Sequence, residues 1–84
     1  MSVRLRCVGK EQYELETDRW IFFFSYGVPV GAFDKAGKLK FETDSYFTIT
    51  TSRHIMKWME RMPGEPGTLK QEKLEAIIME GENG

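Results

Sequence analysis

What the 84-residue chain lacks narrows its identity quickly. It has one cysteine, Cys7, so it can form no disulfide within itself, and a reducing compartment is expected. One histidine, His54, leaves no paired histidines with which a zinc site could be completed. No apolar run approaches the roughly 20 residues of a membrane span, and the first residues lack the apolar core of a secretion signal. Net charge is also missing: the formal value is −1 at neutral pH. No global field therefore draws the chain to nucleic acid or to an acidic membrane, and any such binding must rest on a local patch. These absences predict a cytoplasmic protein that is neither exported nor anchored.

What is present is ordinary. Apolar residues make up 40% and charged residues 30%, with glycine and proline dispersed, the composition of a chain that folds by itself. At this length one domain is expected over residues 1–84, with a thin margin of stability.

Taken in order, the chain first reads as sheet, with strands over about residues 2–50. Val3, Leu5 and Cys7 alternate with Ser2, Arg4 and Arg6, and Gly9 and Lys10 turn the chain into a second alternation at Tyr13, Leu15 and Thr17. Trp20 to Phe24 is continuously apolar, which marks a central strand with both faces covered. One face carries Trp20, Phe22 and Phe24, the other Ile21 and Phe23. A buried core strand is the plainer reading; a stripe that stacks bases or pairs subunits is the sharper one. With helices enough for only one sheet face, Trp20, Phe22, Phe24 and Tyr26 are a candidate homodimer interface. Tyr26 and Gly27 suit a turn or bulge. Pro29 cannot donate to a ladder and belongs at a strand start, a bulge or an edge. Asp34 to Lys38 is a hairpin loop, with Gly37 suited to its left-handed position. Leu39, Phe41 and Thr43 then alternate as a strand, and the β-branched and aromatic run Tyr46 to Thr50 predicts another.

A helix is expected over about residues 52–62, capped by Thr51 or Ser52. Ile55, Trp58, Met59 and Met62 fall at i, i+3, i+4 and i+7, within roughly 100° of arc, and form its core face. Arg53, Lys57 and Arg61 follow at i, i+4 and i+8 on the opposite side. Residues 51–62 carry three basic residues against one acidic, and residues 63–84 two against five, so the two halves could pair with each other. Pro63 to Gly67 stops the helix as a rigid, exposed connection. Thr68 and Gln71 form a capping box for a helix over about residues 69–80, with Leu74, Ile77 and Ile78 as its apolar stripe. It ends near Gly81, leaving Glu82, Asn83 and Gly84 frayed.

The chemistry these residues offer is limited. Hydroxyls at Thr50, Thr51 and Ser52, with Arg53 and His54 beside them at a helix N-terminus, make an anion- or phosphate-binding arrangement. They are also what an ordinary cap and a polar helix edge require. No acidic residue adjoins His54, and nothing resembles a nucleophile elbow, a P-loop, a metal cluster or a glycine-rich nucleotide loop. The expectation is therefore no enzyme, no metal and no cofactor. Cys7 beside Arg4 and Arg6 reads as a small core residue in preference to a reactive thiol. Met56, Met59, Met62 and Met79 read as core fillers, with an adaptable methionine-rich groove as the lesser reading.

Two segments carry a resemblance. Ser25 to Gly31 and Ser45 to Trp58 resemble the SY-x-TPVA strand and the YS-x-TTSRHINKW-like junction of short proteins from phages and mobile elements, a family of unknown function. The likeness covers about residues 19–62, and Val28, Gly31, Phe47 and Met56 stand where that group more often has Thr, Ala, Ser and Asn. It implies a small accessory role in a phage or mobile element and supplies no activity. The fold expected is α+β: an antiparallel meander of about five strands, one amphipathic helix packed on a face, and a second, C-terminal helix. The function expected is a non-enzymatic protein that occupies a host protein inside an infected bacterium, as an anti-CRISPR-like inhibitor of defence would. Partner- or phosphate-binding residues would be Thr51, Ser52, Arg53, His54, Lys57 and Arg61. The alternative is a nucleic-acid-binding module that uses the basic side of the same helix.

Overall fold

Alternation and turn chemistry build the first five strands close to where the sequence predicts them. The computed structural model describes residues 3–83, with side chains through residue 80; Ser2, expected in the first strand, and Gly84, expected to fray, lie outside the described residues. The elements are β1 (Arg4–Gly9), β2 (Gln12–Glu16), β3 (Trp20–Ser25), β4 (Val28–Asp34), β5 (Leu39–Thr43), α1 (Ile49–Arg61), β6 (Glu65–Leu69) and α2 (Gln71–Asn83). The six strands lie in chain order, antiparallel from β1 to β5, with β6 parallel to β5. The fold is α+β, a meander closed by one parallel crossover through α1.

Register sorts the side chains into two faces. One row runs Leu5, Leu15, Phe22, Ala32 and Phe41; the neighbouring row on the other face runs Arg6, Glu14, Phe23, Gly31 and Glu42. A bulge interrupts β4, where Phe23 pairs with Gly31 and Phe24 with Pro29, leaving Val30 as the extra residue. Pro29 therefore sits beside a bulge, one of the places where its missing N–H does no harm.

Helix α1 covers the face of Phe23, Val30 and Phe33 with Trp58 and Met59, and Ile55 and Met62 pack at the margin. Each fully buried large side chain there contributes about 1.5–3 kcal/mol. Trp58 stacks on Phe23 at 5.2 Å between ring centroids, and its Nε1–H donates to Glu14 Oε2 at 2.8 Å. Helix α2 covers the opposite face, where Leu74 packs on Phe22 and Ala32, ringed by Leu15, Trp20, Phe24, Leu69, Ile77 and Ile78. The two helices thus take one sheet face each, which corrects the expectation that only one face is covered.

Several local expectations are also corrected. Residues 45–48 are irregular and no strand forms at 46–50; α1 begins at Ile49, and the hydroxyl of Thr48 accepts from Thr51 N–H as its cap, not Thr51 or Ser52. Residues 65–69 form an edge strand in place of an exposed connection, with Gly64 bringing the chain against Lys38, where a Cβ would lie 2.3 Å from the carbonyl oxygen. Helix α2 begins at Gln71, whose N–H donates to Asp44 Oδ1, so the cap comes from a distant loop and not from Thr68. It continues through Gly81 to Asn83. In the β4–β5 loop Lys38, with φ of 55°, takes the left-handed position in place of Gly37. Cys7 is exposed, not a core residue, and so are Met56 and Met79.

Candidate partner-binding surface

The turn between β3 and β4 begins the site. Ser25 pairs with Val28, and Tyr26 and Gly27 both have positive φ, 53° and 78°, the two-residue turn whose twist matches antiparallel strands. A tyrosine in that conformation is strained. The Tyr26 N–H donates to Glu11 O at 2.8 Å, which ties this turn to the β1–β2 turn and holds it. The result is that the Tyr26 ring lies over His54, with centroids 5.9 Å apart and planes 20° off parallel.

Beneath that ring, α1 is riveted to the end of β3. Ser25 Oγ lies 2.9 Å from His54 Nδ1 and 3.2 Å from Thr51 Oγ1, and both hydroxyl residues are buried. A serine beside a histidine is also how a nucleophile is activated. Here Ser25 is only 2% exposed, and its contacts to Thr51 and His54 join the first turns of α1 to the end of β3. Three or more His, Cys, Asp or Glu side chains gather nowhere as metal ligands among the described residues.

Above the rivet is a hollow of about 370 Å³. Tyr26, Val28 and Phe47 form apolar walls, and Ser25, Thr48, Thr50 and Thr51 line the rest. Large apolar side chains of the same loop and helix start stand in water: Tyr46 is 71% exposed and Ile49 64%, with Tyr26 and Phe47 also exposed, and Met56, two turns further along α1, is exposed beside a separate hollow against Lys40 and Pro66. Arg53, Lys57 and Arg61 run down the adjoining side of α1, all exposed, and none makes an ion pair or hydrogen bond among the described residues.

Several charges on the sheet behave differently. Arg6 bridges Glu14 and Glu16 at 2.9 and 2.6 Å, Lys35 pairs with Glu16, and Arg19 pairs with Asp34 at 3.2 Å. Hydrogen bonds from Lys35 and Arg6 pull the Glu16 carboxyl down to about 2, and Arg19 holds Asp34 below its ordinary range. The same contacts raise Arg6 and Arg19. Lys40 Nζ donates to the carbonyls of Met59 and Met62 at 2.6 and 2.8 Å, closing the C-terminal end of α1. Because α1 and α2 lie on opposite sheet faces, the basic and acidic halves do not neutralise each other: no ion pair joins the helices among the described residues.

A family model matches residues 4–76. The chain belongs to DUF8033, a family of unknown function. The DUF8033 match takes in β1 through the start of α2 and every residue of this surface. No curated protein and no solved structure matches the chain. No helix among the described residues is long and apolar enough to cross a membrane.

Of the residues predicted from sequence, the DUF8033 fold brings Arg53, His54, Lys57 and Arg61 to one side of α1, with Ser52 exposed in its first turn and Thr51 turned inward to the rivet. Of the four aromatics predicted together, Trp20, Phe22 and Phe24 stay in one cluster and Tyr26 stands apart. Phe22 is buried under α2, Trp20 and Phe24 are half-buried beside it, and only Tyr26 reaches this surface. Tyr46, Phe47, Ile49 and Ser25 were not predicted as site residues. The signal for Ile49 and Met56 was their i, i+7 spacing, which a helix starting at residue 49 places away from Trp58.

Proposed function

We propose that this DUF8033 chain is a small non-enzymatic binding protein, of the phage or mobile-element kind its motifs resemble. It acts by occupying a host protein surface, as an inhibitor of bacterial defence does. The observation that carries this reading is the grouping of exposed Tyr26, Tyr46, Phe47 and Ile49, with Met56 further along α1, beside the unpaired cations Arg53, Lys57 and Arg61. Aromatic, methionine and arginine side chains are those enriched where proteins bind each other. The rivet at Ser25 and the cap at Thr48 hold the surface in one shape, which lowers the entropy lost on docking.

The test is capture from bacterial lysate, treated with nuclease, by the native chain, by an Ile49→Ser/Arg53→Ala variant and by a control changed on β1. A protein retained by the native chain and the control, and lost with the α1 variant, supports the reading. Retention by all three removes it.

A second reading is favoured by the exposed tyrosines next to cations. Arg53, Lys57, Arg61 and His54 would contact phosphates while Tyr26 and Tyr46 stack bases. It requires binding to a labelled single strand that weakens steeply with salt, with each Arg→Ala or Lys→Ala change lowering the log–log slope by roughly 0.7–0.9. Salt-independent or absent binding rejects it.

A further inference from the structure

We infer that the hollow at the head of α1 is an anchor pocket for a protein segment that carries one bulky apolar side chain flanked by acidic residues. This rests on the binding-protein reading and adds to it the chemistry of the partner. Three observations carry it.

The first is size and lining. At about 370 Å³ the hollow is near the lower end of the roughly 300–1,000 Å³ that ligand sites occupy, which suits a single side chain. Its walls are the Tyr26 ring, Val28 and Phe47.

The second is that its polar groups are already engaged. Ser25 Oγ is shared between Thr51 and His54, and Thr48 Oγ1 accepts from the Thr51 N–H. Only Thr50 and the Tyr26 phenol keep a hydroxyl without a partner among the described residues. A sugar or a nucleobase edge would bring several polar atoms to desolvate against these few free hydroxyls, whereas an apolar side chain brings none of its own.

The third is charge. Arg53, His54 and Lys57 follow Thr50 at i+3, i+4 and i+7, so the helix carries them down from the rim on the side where Thr50 lines the hollow. Arg53 and Lys57 have no acidic partner, on a chain whose net charge is −1 and whose Arg6, Arg19 and Lys35 are each paired with a carboxylate. His54 commits Nδ1 to Ser25, and its Nε2 edge has no partner among the described residues. An anchored segment with carboxylates beside the anchor satisfies these groups together, and exposed Ile49, next to Thr50 on α1, gives its backbone an apolar shoulder.

The test uses fluorescein-labelled peptides of one length, read by anisotropy. The first has a central phenylalanine between two runs of aspartate and glutamate. The second replaces the phenylalanine with alanine, and the third replaces the acids with serine and glutamine. A labelled oligothymidine is the fourth probe. The first peptide is expected to bind, with affinity falling tenfold or more when either the anchor or the acids are removed. Thr50→Phe, which fills the hollow from its rim, and Arg53→Glu, which reverses the charge, are each expected to abolish binding while circular dichroism stays unchanged. Equal binding of the first two peptides, unchanged binding by Thr50→Phe, binding of oligothymidine alone, or no binding by any peptide overturns the inference. Thr50→Phe is also carried through the lysate capture. A partner retained by Thr50→Phe but lost by Ile49→Ser/Arg53→Ala rejects the pocket and leaves the binding-protein reading standing; loss by neither rejects both.

Discussion

Gly31 and Trp58 set the distance between sheet and helix. A Cβ on Gly31 would lie 2.8 Å from Trp58 Cζ3, and the tryptophan is fully buried, with no room to retreat. Gly31→Ala is expected to destabilise the fold by about 1–3 kcal/mol, read as a lower midpoint in urea at unchanged slope. Glu16 governs a different response. Its carboxyl titrates at about 2 in the folded chain, against an ordinary value of 4.5, because Lys35 and Arg6 hold the charged form. A lowered folded value means stability that is complete above pH 4.5 and is lost as the pH falls from there towards 2. Asp34, lowered by Arg19, acts in the same direction. The urea midpoint should therefore drop through that window, and less steeply in Glu16→Gln. At this scale the sequence is partly legible. Helical spacing found Trp58 and Met59, and the i, i+4, i+8 spacing of Arg53, Lys57 and Arg61 on the other side of the helix made them candidates. Ser25 was invisible, since its two partners lie 26 and 29 residues further along and no local pattern announces them.

Among the elements, the entry to α1 is where local propensity and the fold disagree. Tyr46 to Thr50 has the β-branched and aromatic character of a strand, yet β5 finds its next neighbour in β6, and the intervening chain must leave the sheet at once. Thr48 capping and the burial of Thr51 against Ser25 decide the matter for helix. Thr48→Ala should cost about 1 kcal/mol and speed amide exchange in the first turn of α1, whereas Ser52→Ala should stay within about 0.5 kcal/mol. Equal effects of the two changes would return the cap to Ser52. Strand β6 escaped notice for a related reason. Five residues that include Pro66 and Gly67 carry little strand propensity, and a proline is tolerated there because β6 is an edge. The four hairpins from β1 to β5, by contrast, follow from alternation, the apolar run of β3 and the turn residues between them.

The whole molecule is unevenly covered. Each helix protects the centre of the sheet, and the row from Ala32 through Phe22 and Leu15 to Leu5 passes from fully buried to 67% exposed at the β1 edge. Val3, Cys7 and Tyr13 are exposed near the same edge, so any pairing of two copies is to be sought there and not on the β3 aromatics. Leu5→Lys should leave the melting temperature nearly unchanged and lower any rise of sedimenting mass with concentration; an undiminished rise would exclude this edge. The strand order has one more outcome, for synthesis. Strands emerge from the ribosome in the order in which they pair, so the sheet can assemble as it appears. Leu74 follows all six strands, and until it arrives Phe22 and Ala32 face water. A nascent chain that stalls before α2 would carry a finished sheet with a sticky back, prey for chaperones and proteases.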